Sequence, residues 1–390
     1  MDVKTLLNQA CQRYKDKPAI IFKDEAVSFQ KLDEHVKRLA NLLNDLGVRK
    51  GDKVAIYLPN CPEYVYSYLA LFSLGAVGVP LDFMLKTDEL VSCLGHSEAK
   101  VLIAKSRPDV TFSDIKNQVE SLEIILQIDG QIKGTINYTD LIAKAGINNI
   151  ELEIEPHDPA LIMYTSGTTG NPKGILLNCR HLNASPEAMK HFVDLTDQDV
   201  KLVAIPLSHI GGFIYVQNCI CFGITLVLME RFQPMEFLEN IQKYKVTCFH
   251  IVPPMYTAIL TLKQIEKFDL SSVRWVVVFG APSSPEILER FHKYCPNAKL
   301  LNGWGMTETC PPNTVTPLDS KNIASVGKPA PNCEIIIVDE HDQEVPAGQI
   351  GEIKIRGWVV MEGYYKDNET TAEMIKDGWL FTGDLGKFDT

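Results

Sequence analysis

The sequence predicts an α/β protein: two layered α/β subdomains with mixed or parallel sheets, followed by a small β-barrel. Three observations carry this. At 390 residues the chain exceeds one ordinary hydrophobic core, so two or three lobes are expected. Up to Pro317, segments of helical periodicity alternate with short apolar runs that read as buried strands. After Pro317 short strands follow one another across Asp/Gly/Pro turns with little helix between them. The expected boundaries are 1–180 for a first α/β subdomain, 181–317 for a second, and 318–390 for the β-barrel.

Leu32, Val36, Leu39, Leu43 and Leu46 recur at spacings of four and three, an amphipathic helix that ends near Gly47. Lys53–Leu58 reads as a strand, Tyr64–Leu74 as a helix closed by Gly75, and Ala76–Leu81 as a short buried strand. The alternation continues with strands near Val101–Ala104, Ile124–Ile128, Leu202–Ile205, Thr225–Leu228, Cys248–Val252 and Trp275–Phe279. In the last part, Glu334–Val338 and Gly351–Ile355 are the clearest strands. No internal repeat and no low-complexity linker interrupts this order.

Composition narrows the function. Apolar residues make up 45% and charged residues 22%, the balance of a soluble globular protein. A formal net charge of −11 argues against nucleic acid as the main partner, because phosphate backbones call for a basic face. No apolar stretch follows Met1-Asp2-Val3-Lys4, so a secretory leader is not expected. The longest apolar stretch, Ile220 to Met229, is broken by Gly223 and Thr225 and is too short to span a bilayer. Ten cysteines lack metal-ligand spacing, and Cys219 and Cys221 read as core thiols; free thiols suit a reducing cytoplasm.

The most informative segment is Tyr164-Thr165-Ser166-Gly167-Thr168-Thr169-Gly170-Asn171-Pro172-Lys173-Gly174, directly after the apolar run Ala160–Met163. A buried strand ending in a small, hydroxyl-rich turn aims N–H and O–H groups at one point, and a lysine adds a point charge. That suits phosphate oxygens. It is not a Walker A loop, since Pro172 precedes Lys173 and Gly174 follows it. A surface turn would account for the glycines but not for four Ser/Thr hydroxyls and a lysine among them.

This segment resembles the phosphate loop of the adenylate-forming superfamily: acyl-CoA synthetases, peptide-synthetase adenylation domains and luciferases. Further matches follow in the family's order. They are Pro206-Leu207-Ser208-His209, Asn302-Gly303-Trp304-Gly305-Met306-Thr307-Glu308-Thr309, Gly351-Glu352-Ile353 with Arg356-Gly357, and Trp379-Leu380-Phe381-Thr382-Gly383-Asp384. The first 150 residues resemble the family in organisation more than in motif.

The resemblance implies that a carboxylate attacks the α-phosphate of ATP, releasing pyrophosphate and leaving an acyl-adenylate; coenzyme A is the expected second acceptor. Thr165, Ser166, Gly167, Thr168, Thr169, Gly170 and Lys173 would hold the outer phosphates. Glu308 would hold Mg²⁺, which prefers few protein carboxylates beside phosphate oxygens and water. Thr307 would offer its hydroxyl to the α-phosphate. Gly280, Ala281 and Pro282, just past the buried strand Val276–Phe279, would let adenine lie on the backbone, with Asn302 and Gly303 beside it. Trp304 stands where relatives usually carry tyrosine and would stack on adenine. Asp384 would bind the ribose hydroxyls. His209 would position the acyl carboxylate and gate the thiol's approach; with Thr307, Glu308 and Lys173 it completes the expected catalytic set.

The acyl pocket is expected from the segments after His209, around His250–Tyr256, and after Phe279 and Gly303. Phe213, Val216, Ile251, Pro253, Met255 and Met306 are its expected apolar walls. No aspartate is placed for a substrate amine, which points to a simple carboxylic acid, fatty or aromatic. Family members continue into a small C-terminal domain, which the resemblance leads one to expect absent here. Expected partners are therefore the acid, ATP and CoA, in the cytoplasm, with no membrane segment; a homodimer stays open. An adenylation domain that loads a carrier protein, and a catalytically silent nucleotide-binding module, stay open as alternatives.

Overall fold

A computed structural model describes residues 3–165, 173–320, 322 and 324–389. Its framework is two large sheets facing a shared core, with a small antiparallel sheet at one end. The first sheet has eight strands in the order Gly363–Tyr364, Lys173–Asn178, Pro159–Thr165, Val77–Pro80, Lys53–Tyr57, Val101–Ala104, Ile124–Gln127 and Ile136–Asn137. The second has nine, with Val200–Val203, Thr225–Leu228, Cys248–Ile251, Trp275–Val278 and Lys299–Trp304 forming its parallel centre. Strands buried on both faces explain why these segments read as continuous apolar runs.

The amphipathic helix near the N-terminus spans Phe29–Asp45 and starts where the Ser28 hydroxyl accepts from the Lys31 N–H at 3.3 Å. Its Phe29, Leu32, Val36, Leu39 and Leu43 face the core, as their spacing predicts. Two other helices, Pro62–Ser73 and Ile210–Phe222, are buried on nearly every side and lie in the core shared by the two sheets. Tyr68 of the first meets Phe213 of the second at 4.9 Å between ring centres.

The chain crosses its expected boundaries twice. Pro18–Phe22 leaves the first subdomain and runs parallel to Thr225–Leu228 at the far edge of the second sheet, with Ala19 and Ile20 fully buried. Gly363–Tyr364 leaves the last lobe and pairs antiparallel with Lys173–Asn178. The small β-barrel takes the form of a half-barrel: Glu334–Val338, Gly351–Arg356, Trp379–Gly386 and Ile375–Lys376, four antiparallel strands. Four strands are too few to close on themselves. Among the described residues, no helix is long and apolar enough to cross a membrane.

Candidate nucleotide and acyl site

Thr165 and Lys173 face each other across the antiparallel pair Pro159–Thr165 and Lys173–Asn178. Ser166, Gly167, Thr168, Thr169 and Gly170 lie outside the described residues. The Lys173 ammonium stands 5.7 Å from the ring centre of Tyr364, whose hydroxyl donates to Glu308 Oε1 at 3.2 Å. Tyr364 reaches that point because its strand pairs with Ile175, two residues past Lys173. Thus a phosphate-side lysine, a buried carboxylate and the tyrosine between them are drawn from three separate parts of the chain.

Glu308 sits in a single 3₁₀ turn, Thr307–Thr309, that follows the strand Lys299–Trp304. The turn is held by its own neighbours: Thr309 Oγ1 accepts from the Met306 N–H at 3.2 Å, and Asn313 Nδ2 donates to the Thr309 carbonyl at 2.7 Å. Only 8% of Glu308 is exposed, and burial pushes its carboxyl above the ordinary glutamate range; Asp384 pushes the same way, while Tyr364 and Lys173 oppose it. A buried carboxylate so placed favours a bound cation over bare ionisation. Among the described residues no group of three or more His, Cys, Asp or Glu side chains converges on a metal. One carboxylate is what a magnesium ion carried in on phosphates requires.

Four residues before Glu308, the Trp304 indole N–H donates to Asp384 Oδ2 at 2.8 Å. This bond ties the end of the second sheet to the half-barrel and fixes the edge of the indole. Asn302 is buried and its backbone is paired with Thr316, the N–H donating to Oγ1 at 2.9 Å and the carbonyl accepting the Thr316 N–H at 2.8 Å. Gly303 admits no side chain, since a Cβ there would lie 2.0 Å from the Phe279 ring. Phe279 is the last residue before Gly280, which turns the chain at φ +90°, a conformation suited to glycine; Ala281 and Pro282 are exposed beyond it.

His209 opens the helix Ile210–Phe222, and its Nε2 lies 3.3 Å from Asp82 Oδ2. The His209 side chain holds the Asp82 carboxyl below its ordinary range. The segment before His209 is pinned from the first sheet's side. Asn60 Nδ2 donates to the Ile205 carbonyl at 3.1 Å, Asn60 Oδ1 accepts from the Leu207 N–H at 2.8 Å, and the Tyr68 hydroxyl donates to the Leu207 carbonyl at 2.8 Å.

Beneath His209 opens a cavity of about 1050 Å³. It reaches Gly280 and Gly305 on the nucleotide side, and its apolar wall includes Ile205, Ile214, Val252 and Met255. The expected wall is corrected here. Met255 lines the cavity, but Phe213, Val216 and Ile251 are packed into the hydrophobic core, and Pro253 and Met306 are not among the lining residues. Phe22, Leu58, Phe83 and Phe232, outside the expected segments, line it as well. For Phe213 and Val216 the reason is that a helix buried all round gives no periodic signal of which side meets the cavity.

Comparison with known proteins agrees with this geometry. A family model for AMP-binding enzymes matches residues 7–365. The chain belongs to the AMP-binding enzyme family. Its relatives include 4-coumarate–CoA ligase 1 of Solanum tuberosum, 32% identical over 96% of this chain and 71% of that protein. The long-chain-fatty-acid–CoA ligase of Bacillus subtilis is 30% identical over 99% of this chain and 74% of that one. A crystal structure of a long-chain-fatty-acid–CoA ligase from Archaeoglobus fulgidus superposes with a TM-score of 0.91 at 27% identity, covering all of this chain and 82% of that one.

Within this AMP-binding enzyme, the sequence motifs account for Lys173, Glu308, Trp304 and Asp384, which the fold brings to one side. It places His209 and Gly280 on the lining of the cavity that reaches Gly305, next to Trp304. Motif reading passed over Asp82, Asn60 and Tyr364. Asp82 follows directly on the parallel strand Val77–Pro80, and a carboxylate at the carboxyl end of a parallel strand is a signal the sequence does carry. Tyr364 carries none, because its role depends on pairing with a strand almost two hundred residues earlier.

Proposed function

We propose that this chain carries the nucleotide- and acyl-binding centre of an ATP-dependent carboxylic acid–CoA ligase. The carboxylate oxygen attacks the α-phosphate of ATP, the bond to pyrophosphate breaks, and the acyl-adenylate then yields its acyl group to the CoA thiol. The observation that carries this is the linked set Lys173–Tyr364–Glu308 beside Trp304–Asp384, with Gly305, next to Trp304, on the lining of an apolar cavity. Two anions must meet there, so neutralisation and in-line positioning are the first tasks of the protein. Lys173 supplies positive charge to the outer phosphates, and Glu308 would hold Mg²⁺, which would neutralise charge developing on them.

Trp304 would cover one face of adenine, and Asp384 would accept from the ribose hydroxyls while it holds the indole edge. Asp82 fixes one nitrogen of His209, which leaves the imidazole oriented at the cavity mouth where the acyl carboxylate enters. The apolar wall suits a fatty or aromatic acid. Ten free thiols fit a reducing compartment such as the cytoplasm. The test is pyrophosphate exchange against a panel of fatty and aromatic acids. Exchange that depends on an added acid is expected; nucleotide binding with no exchange for any acid would sink the proposal.

A further inference from the structure

The deep end of the acyl cavity is polar in a way its apolar wall does not suggest. His250 lines the cavity one residue further into its strand than Ile251, and it is buried. No described residue offers a hydrogen-bond partner to either of its ring nitrogens. Its ring stands 5.0 Å from Tyr215, 6.0 Å from Trp275 and 5.5 Å, edge to face, from Phe279, which also lines the cavity. Deeper still, on the neighbouring strand, Lys201 is fully buried with its ammonium 4.8 Å from the Tyr215 ring centre and 5.2 Å from that of Trp275. Lys201 Nζ, the Trp275 indole N–H and the side-chain amide of Asn218, one helical turn past Tyr215, likewise have no hydrogen-bond partner among the described residues.

Lys201, Trp275 and His250, gathered around Tyr215 in one buried place, cannot be explained as solvated surface. Buried donors left unmatched are costly, and such groups are held where something completes them. Around the Tyr215 ring donors dominate: an ammonium and one imidazole N–H, with an indole N–H beside both. Burial lowers Lys201 to about 8, which leaves it mainly cationic at neutral pH. Along the strand direction the cavity passes Gly280 and Phe279 and meets His250; Lys201, paired with Cys248, lies behind that lining. A purely hydrocarbon tail reaching that end would leave every donor unmatched.

We propose that the far end of the acyl cavity is an oxygen-recognising subsite, so that the preferred acid carries a hydrogen-bond-accepting oxygen, a ketone or a second carboxylate, at the end remote from the reacting carboxylate. His250 makes the direct contact and Lys201 acts behind it as a positioning charge. This rests on the adenylate-forming reading above.

Non-reactive acyl-sulfamoyladenosines test it by calorimetric titration of the 390-residue chain. Hexanoyl and decanoyl analogues are compared with counterparts bearing a terminal ketone or carboxylate. At one length the oxygen-bearing analogue is expected to bind about ten-fold or more tightly than its plain partner, because a site built to hydrogen-bond rejects what lacks the partner atom. The ketone and carboxylate arms distinguish the two oxygen chemistries. His250→Leu and Lys201→Met are each expected to erase that preference. A parent that binds plain and oxygen-bearing analogues equally at both lengths overturns the subsite whether or not the variants fold. A preference that survives both substitutions overturns it too. Failure of every analogue to bind would instead remove the adenylate reading on which it stands.

Discussion

The nucleotide side and the acyl side of this site are built on opposite principles. On the nucleotide side the buried carboxylate Glu308 accepts from Tyr364, and the Trp304 indole donates to Asp384. On the side proposed to take the acyl chain, His250 in the cavity lining and Lys201 behind it are buried with no hydrogen-bond partner among the described residues. A site for an invariant ligand can use its own side chains to hold one another in place before the ligand arrives. A site that discriminates among ligands keeps its polar capacity uncommitted, and that capacity then selects what enters.

The largest expected effect separates wall from core on the acyl side. Phe213→Ala removes a buried ring that packs against Tyr68 and Phe72, and should cost roughly 3–5 kcal/mol in a denaturant melt. Acid preference in pyrophosphate exchange should not change, whereas Met255→Ala should alter it with a smaller loss of stability. A shifted acid profile for Phe213→Ala would place that ring back on the cavity wall.

On the nucleotide side Glu308→Gln should lower acid-dependent exchange by about a hundred-fold or more, the scale of losing one charge-stabilising group. Its stability should move the other way. Burial raises the folded-state affinity of Glu308 for a proton, so ionisation works against the fold as pH rises past the ordinary glutamate value of 4.5. At pH 7 the glutamine variant should melt at or above the parent, and the difference should vanish in melts at acid pH. Unchanged exchange with a lower melting point at pH 7 would make Glu308 a structural residue only.

Trp304 tests how far the Asp384 bond and the aromatic face can be separated. Trp304→Ala should lose about 1–3 kcal/mol of nucleotide affinity by calorimetry, the range for base–aromatic stacking. Trp304→Tyr keeps a face and should stay within a few-fold of the parent. Equal affinity for Trp304→Ala and the parent would end the stacking idea. The smallest effect belongs to the half-exposed pair at the cavity mouth. Asp82→Asn should change stability by about 1 kcal/mol or less, as solvent-screened pairs do. It should still lower acid-dependent exchange, because the carboxylate that orients the His209 ring is gone.

Legibility in the sequence follows the same divide. Lys173, His209, Glu308 and Asp384 could be named because each lies in a short contiguous motif whose composition has a chemical meaning. The sheets could be named because strands buried on both faces leave plain apolar runs, as at Trp275–Val278. The cavity wall was legible only in part, and only to the level of segments. Ile214 lines it and Phe213 does not, yet both sit on a helix apolar on every face, and only the packed neighbours decide which way each looks. Tyr364 and the pair His250 and Lys201 depend on pairings between distant strands, which no local pattern encodes.

The strand Gly363–Tyr364 sets a schedule as well as a shape. During synthesis the edge formed by Lys173–Asn178 emerges almost two hundred residues before the strand that pairs with it. Until then Glu308 lacks the hydroxyl it leans on, and an open strand edge is available to any passing chain. The cluster of Lys173, Tyr364 and Glu308 is therefore completed only once residue 364 has emerged, and a nascent chain halted before residue 363 would expose that edge while most of both large sheets had already been made.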